Sequence, residues 1–584
     1  MTAAAQLNPS QPPRATLTAV LASFKRAFSG VALMSGVVNV LALTGSFFML
    51  QVYDRVIPGR SVPTLVGLAI FAAMLFIFQG VLELIRSRLL VRIGMALDQR
   101  MSGKVYAALM RLPLRTKLAG DGLQSLRDLD QVRSFLSSAG PTALFDLPWM
   151  PLYLGICFLF HFWIGMTALG GAIVLFGLTL LAEARTREPA KKANGQAALR
   201  NTLAEATRRN VEVLQAMGFG SRIAERWSSI NADYLGTNAK ASDVAGTLGT
   251  ISKTLRMMLQ SVILAIGAWL VIHQEATGGI MIASSIMMGR ALAPIELAIA
   301  HWKNFVSARQ AWARLTQLLA LLPETATSVA LPAPASALAV EGISVTPPGE
   351  RRVVVQDAGF ALEKGAGLGI IGPSASGKSS LVRAIAGIWQ PARGAIRLDG
   401  ATLDQWSPEE LGKHVGYLPQ DVQLFDGTIA ENIARFEPQP PSDKILAAAR
   451  AAGVHDLVVH LPEGYETRIG EAGNALSAGQ RQRVALARAL YGDPFLVILD
   501  EPNSNLDAAG EAALTEAIQG VRARGGIAVV VAHRPSALAS LDQVLVMANG
   551  RVQAFGPKAE VLNKVTRPTA APLKVVAGLE ETAS

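Results

Sequence analysis

The chain has 584 residues, 51% hydrophobic and only 17% charged, which is far from the balance of a soluble protein of this length and puts much of it in a membrane. Its 54 Lys and Arg against 44 Asp and Glu give a net charge of +10, yet no long basic run or Arg-aromatic interleaving marks a nucleic-acid surface. The single cysteine, Cys157, lies in an apolar run and excludes a disulfide framework, a cysteine metal cluster and a thiol-protease pair.

Residues 1–30 contain Pro and polar residues and no apolar core ending in a cleavage site, so they read as a cytoplasmic N-terminal segment without a cleaved signal. A helix needs about 20 apolar residues to cross about 30 Å of hydrocarbon. Six stretches meet that need, at 31–52, 63–83, 143–161, 163–183, 254–273 and 279–299, within a transmembrane domain spanning 31–320. The loops "HFWIG" and "HQEATGG" carry no Lys or Arg and belong outside. The long loops after spans two and four carry Arg86, Arg88, Arg92, Arg100, Lys104, Arg111, Arg115 and Lys117, and Arg185, Arg187, Lys191, Lys192, Arg208 and Arg209. The positive-inside bias sets these loops, and with an even number of spans both termini, in the cytoplasm. Their helical apolar spacing predicts that the spans continue as long helices beyond the bilayer.

Residues 321–338, rich in Pro, Ala and small polar residues, read as a linker. From 339 to 567, short β-rich runs alternate with helical stretches, as in an α/β domain with a largely parallel core, and 568–584 read as a disordered tail. In "GIIGPSASGKSSLVRAI" (369–385) a β run enters G-x-x-x-x-G-K-S and leaves in a helix, the context of a phosphate-binding loop. Backbone amides from Gly372, Pro373, Ser374, Ala375, Ser376, Gly377, Lys378, Ser379 and Ser380, less the Pro373 nitrogen, surround phosphate at a helix N-terminus. Lys378 adds a full charge there, and the Ser379 hydroxyl can ligate Mg²⁺. The apolar run "FLVILDEP" (495–502) ends in Asp500, suited to hold Mg²⁺, and Glu501, suited to polarise an attacking water.

The order phosphate loop, "YLPQD", "LSAGQ", "LDEP", "SNLD", "AHR" resembles the nucleotide-binding domain of ATP-binding cassette (ABC) transporters. That resemblance implies an α-helical membrane domain of the type I ABC exporter fold fused to an α/β P-loop ATPase, with ATP and Mg²⁺ as nucleotide and cofactor. It implies that Gln420 senses Mg²⁺ and the attacking water, Glu501 is the general base, His533 contacts the γ-phosphate and Asp507 lies at a dimer seam. Ser477, Gly479 and Gln480 of the signature would complete the ATP site of a second copy, so the resemblance implies a homodimer. Two departures stand out. Ala478 replaces the first of two usual glycines, which is tolerable only at negative φ. The stretch "ISVTPPGE" supplies no aromatic to stack on adenine, so weaker nucleotide affinity is expected.

In the membrane half, "MLQVYDRVIPGRSVPTL", "FDLPWMPLY", "RNVEVLQAMGF" and "SSIMMGRALAPIE" look like segments of the ABC transporters of bacterial type I protein secretion systems, in the protease and lipase exporter branch without an N-terminal peptidase domain. The resemblance implies an inner-membrane, multi-pass ATPase that drives unfolded polypeptides bearing a C-terminal secretion signal. It also implies as partners a periplasmic membrane fusion (adaptor) protein, an outer-membrane channel protein, a secreted passenger and membrane lipids, and no nucleic acid. A lipid or small-molecule exporter shares the cassette and stays open as an alternative. Arg290 and Glu296 in span six either line a polar conduit on its cytoplasmic side or form an ion pair or snorkel near the inner interface. Tips near 114–122 and 211–222 would couple cassette closure to the spans.

Overall fold

The computed structural model describes residues 20, 22–116, 123–320, 331–532 and 535–566. His533, the first coupling tip from 117 onward, most of the linker and the C-terminal tail lie outside the described residues. The chain divides into two compact units, the first essentially the helical half and the second essentially the α/β half.

The helical unit begins with α1 (Lys25–Leu41) and α2 (Thr44–Gln51), which a π-helical turn, Val52–Val56, extends. There follow α3 (Val62–Arg111), α4 (Gln124–Leu136), α5 (Gly140–Asp146) and α6 (Met150–Phe160). The unit closes with α7 (Phe162–Arg209), α8 (Val211–Met217), α9 (Gly220–Ile272), α10 (Gly278–Ala300) and α11 (Trp302–Ala320). Among the described residues, six helical segments are long and apolar enough to cross a membrane. The 50, 48 and 53 residues of α3, α7 and α9 reach about 72–80 Å at 1.5 Å per residue, well beyond the hydrocarbon, as the apolar spacing predicts. α10 runs unbroken through Pro294, which packs in the interior.

Apolar side chains gain little by leaving lipid for a protein interior, so close approach and polar contacts hold such a bundle. α9 and α10 meet at Gly267, where a Cβ would lie 2.8 Å from Met281 Cγ and 3.1 Å from its Cα. A polar cluster joins α1, α3, α5 and α6. The Arg86 guanidinium donates to Asp146 Oδ1 at 2.8 Å and to Ser35 Oγ at 3.0 Å. Asn39 Nδ2 donates to Asp146 Oδ1 at 2.9 Å, and Tyr153 donates to the Asn39 carbonyl at 2.8 Å. Asp146 is therefore a structural ion-pair partner, and Trp149 beside it packs into the space left by Gly36. Glu296 pairs with Arg256 of α9 at 2.6 Å.

The second unit carries two sheets. β1 (Ala337–Val345), β2 (Val355–Glu363), β4 (Arg393–Leu398) and β5 (Ala401–Thr402) form an antiparallel sheet in the order β2-β1-β4-β5. β3 (Gly367–Ile371), β6 (Val415–Leu418), β7 (Leu496–Asp500), β8 (Ile527–Val531), β9 (Gln543–Ala548) and β10 (Arg551–Pro557) form the other, ordered β10-β9-β3-β8-β7-β6 and parallel except for the β9–β10 hairpin. β7 and β8 are buried along their whole length, as their unbroken Val, Ile and Leu runs require of strands covered on both faces. Among the helices around this sheet are α12 (Lys378–Ile385), α13 (Ser442–Ala451), α14 (Ala478–Leu490) and α15 (Ala508–Ala523).

Candidate active site

The parallel strands β3, β8, β7 and β6 all end at one edge of the sheet, the edge where open α/β sheets collect their ligands. β3 runs into the loop Gly372–Gly377, which α12 closes. Gly372 has φ +150, and a Cβ there would stand 2.1 Å from the Met547 carbonyl oxygen, so only glycine lets the loop leave the strand. The rim residues Pro373, Ser374 and Ala375 are exposed, while Ser376 and Lys378 are buried.

Lys378 donates to the carbonyls of Gly372 and Pro373, both at 2.9 Å. Burial lowers its pKa from the ordinary 10.5, against the opposing pull of Glu501 and Asp500. Ser379 Oγ donates to Asp500 Oδ1 at 3.3 Å. Asp500 is only 1% exposed and its Oδ2 is buried without a hydrogen-bond partner, as is Ser376 Oγ. Burial raises the Asp500 pKa above 3.8; the Ser379 bond works against the rise and the adjacent Glu501 adds to it. A desolvated carboxylate with one free oxygen, a serine hydroxyl beside it and a loop of backbone amides is a donor set of hard oxygens and N–H groups, which fits Mg²⁺ and phosphate.

Glu501, the next residue, has φ +51, a left-handed conformation rare for a residue with a side chain. Its amide donates to the Val531 carbonyl at 3.2 Å, which continues the β7–β8 ladder by one step. Gln420, two residues beyond β6, donates from Nε2 to Glu501 Oε2 at 3.2 Å. Lys378, Ser379, Asp500, Glu501 and Gln420, far apart in sequence, thus come together as the motif reading predicts.

The signature residues form a separate group. Ser477 caps α14: its hydroxyl accepts from the Gln480 amide at 3.3 Å, while Gln480 Oε1 accepts from the Ser477 amide at 2.9 Å. Gln480 is thus committed to a capping box. Ala478 opens the helix and is not among the positive-φ residues, so its methyl is sterically allowed. Asp507 caps α15 through the Gly510 amide at 2.8 Å and pairs with Arg483 of α14. Those two contacts lower the Asp507 pKa. Among the described residues, no hydrogen bond joins Ser477, Gly479 or Asp507 to the phosphate loop.

Two residues escape motif reading. Gln482, 1% exposed on the inner face of α14, donates to the Pro502 carbonyl at 3.0 Å, and Arg483 makes the Asp507 pair. Together they fasten the signature helix to the segment after Glu501. A glutamine at an inward helical position, three and four residues before Ala485 and Leu486, is the signal that could have found the first.

Family models for the ABC transporter transmembrane region and the ABC transporter match residues 30–292 and 355–504. The chain is 58% identical, over 94% of its own length and 94% of the relative's, to the type I secretion system ATP-binding protein PrsD of Rhizobium meliloti (strain 1021). It is 27% identical, over 92% of its length and 77% of the relative's, to the toxin RTX-I translocation ATP-binding protein of Actinobacillus pleuropneumoniae. In fold it resembles a bacterial Atm1-family ABC exporter solved with ATP bound, with a TM-score of 0.81 at 23% identity over 93% of this chain and 97% of that one.

Proposed function

The chain belongs to the ABC transporters of type I secretion systems, and from that premise we propose that it hydrolyses ATP to drive polypeptides bearing a C-terminal secretion signal, unfolded, across the inner membrane. The observation that carries the ATPase half is the convergence of Lys378, Ser379, Asp500, Glu501 and Gln420 at one sheet edge. The likeness to a secretion ATPase over nearly the whole chain carries the export half.

The mechanism follows from the charges. Lys378 exchanges the loop carbonyls of Gly372 and Pro373 for phosphate oxygens, and its burial, which lowers its pKa, makes an anion beside it the more favourable. Ser379 and Asp500, with Gln420, would hold Mg²⁺, which neutralises charge developing on the transferred phosphoryl group. Glu501 accepts the proton of the attacking water, and the Gln420 amide keeps its carboxylate oriented toward the phosphate loop. His533 acts beside the γ-phosphate. Ser477 and the Gly479 amide face the γ-phosphate of a second copy, with Gln480 holding that helix start through its capping box and Asp507 at the seam. Ser477 and Asp507 are exposed and, among the described residues, share no hydrogen bond with the phosphate loop, which supports that reading because a helix N-terminus favours an anion.

One cassette and six spans per chain support a homodimer of twelve spans. Both termini face the cytoplasm, and a periplasmic adaptor and an outer-membrane channel complete the path. The test is Glu501→Gln expressed in the native host. It binds ATP, hydrolyses it about 100-fold or more slowly, and co-purifies with adaptor, channel and one polypeptide carrying a C-terminal signal. Lipid alone, without an adaptor, would overturn protein export in favour of a lipid exporter.

A further inference from the structure

Asp54 belongs to the stretch "MLQVYDRVIPGRSVPTL", which the ATPase chemistry does not use. It sits in the π-helical turn that ends the first span and meets the start of the sixth. Its Oδ1 accepts from the Gly279 amide at 2.9 Å and its Oδ2 from the Thr277 hydroxyl at 2.7 Å. Thr277 is itself the N-cap of α10, its Oγ1 accepting from the Ile280 amide at 3.2 Å. One oxygen from span one and one from span six therefore share the free N–H groups of a single helix start, where negative charge is also favoured, and the second Asp54 oxygen accepts from the capping hydroxyl itself. The seat is shaped for this carboxylate: a Cβ at Gly279 would lie 2.5 Å from Asp54 Oδ1.

The two flanks of span six differ in kind. Toward span five, Gly267 and Met281 interdigitate at backbone distance, and separating them would open a cavity. Toward span one, at this end, the Asp54 contact is hydrogen bonds from an exposed threonine hydroxyl and a buried glycine amide to a half-buried carboxylate. Water can replace those bonds, and Thr277 still caps α10 when Asp54 leaves. At this end the second joint is the one held by polar groups that water can take over.

We infer that Asp54 is a positioning residue of export. It latches the outer ends of spans one and six, and the passage opens at this seam when ATP closes the cassettes, span six moving with span five. This rests on the export reading.

The test uses Asp54→Cys together with Thr277→Cys in the full-length chain carrying Glu501→Gln. The native Cys157 is buried and does not compete. Without nucleotide the pair crosslinks quickly under mild oxidant; with ATP and Mg²⁺ the rate falls at least five-fold. Equal rates, faster crosslinking with ATP, or none in either state would overturn the latch. With Glu501 restored, the oxidised pair secretes less than a tenth of the passenger secreted by the same protein after reduction; equal secretion also overturns it. If the wild-type chain secretes no polypeptide while crosslinking still responds to ATP, the export reading fails and the latch stands.

Discussion

Asp500 is a carboxylate held where the fold disfavours its charge: one oxygen has only the Ser379 hydroxyl and the other has no partner. Because its folded pKa is raised, the native state keeps this proton longer than the unfolded chain does. Its contribution to stability is therefore present at low pH and lost as pH rises from 3.8 through the raised value. At neutral pH, Asp500→Asn should stabilise the nucleotide-free protein by about 1 kcal/mol, a few degrees in Tm for a domain of this size, while ATPase activity falls more than about 100-fold. A scan showing a lower Tm would mean that the carboxylate is better solvated than its burial indicates. These residue types were legible in the sequence because phosphate and metal chemistry permits few substitutes. Glu501's left-handed backbone was not, since nothing in "LDEP" distinguishes a strained residue from a relaxed one.

Asp399 shows how one side chain secures an element. From the turn after β4 it accepts from the amides of Ala335, Ser336 and Ala337, so it fixes the start of β1. Partial burial pushes its pKa up, but the three amide bonds outweigh that and leave it below 3.8. The stability it supplies is present above 3.8 and lost as pH falls through the depressed value. Asp399→Ala should cost about 1 kcal/mol after allowance for its exposure, read as faster amide exchange confined to β1. Gln482→Ala leaves the buried Pro502 carbonyl unpaired, a loss of about 1–3 kcal/mol, and should lower kcat more than KM for ATP by loosening the Glu501 segment. The elements themselves were legible by period and length. Their polar partners were not: Glu296 and Arg256, or Asp399 and Ala335, lie too far apart in sequence for any local pattern to pair them.

At the scale of the whole molecule, composite sites make a prediction that a self-contained site does not. In mixed dimers, Lys378→Ala on one chain and Ser477→Arg on the other leave one intact site if the signature acts in trans. Both substitutions on one chain leave none. The first pairing should therefore retain at least ten-fold more ATPase activity than the second, and the reverse order would place each signature with its own phosphate loop. The cluster of Arg86, Asp146, Asn39 and Ser35 has a consequence for how such a protein is made. Arg86 and Asp146 are 60 residues apart, one at the end of span two and the other at the start of span three. While the ribosome has delivered only the first hairpin, the arginine lacks the Asp146 carboxylate and is better placed near the headgroups, so the second span should reach its final depth only after the third arrives. Synthesis order is thereby written into an ion pair. Asp146→Asn should reduce the amount of correctly inserted chain, seen as protease-sensitive intermediates during translation, more than it slows turnover in the molecules that mature.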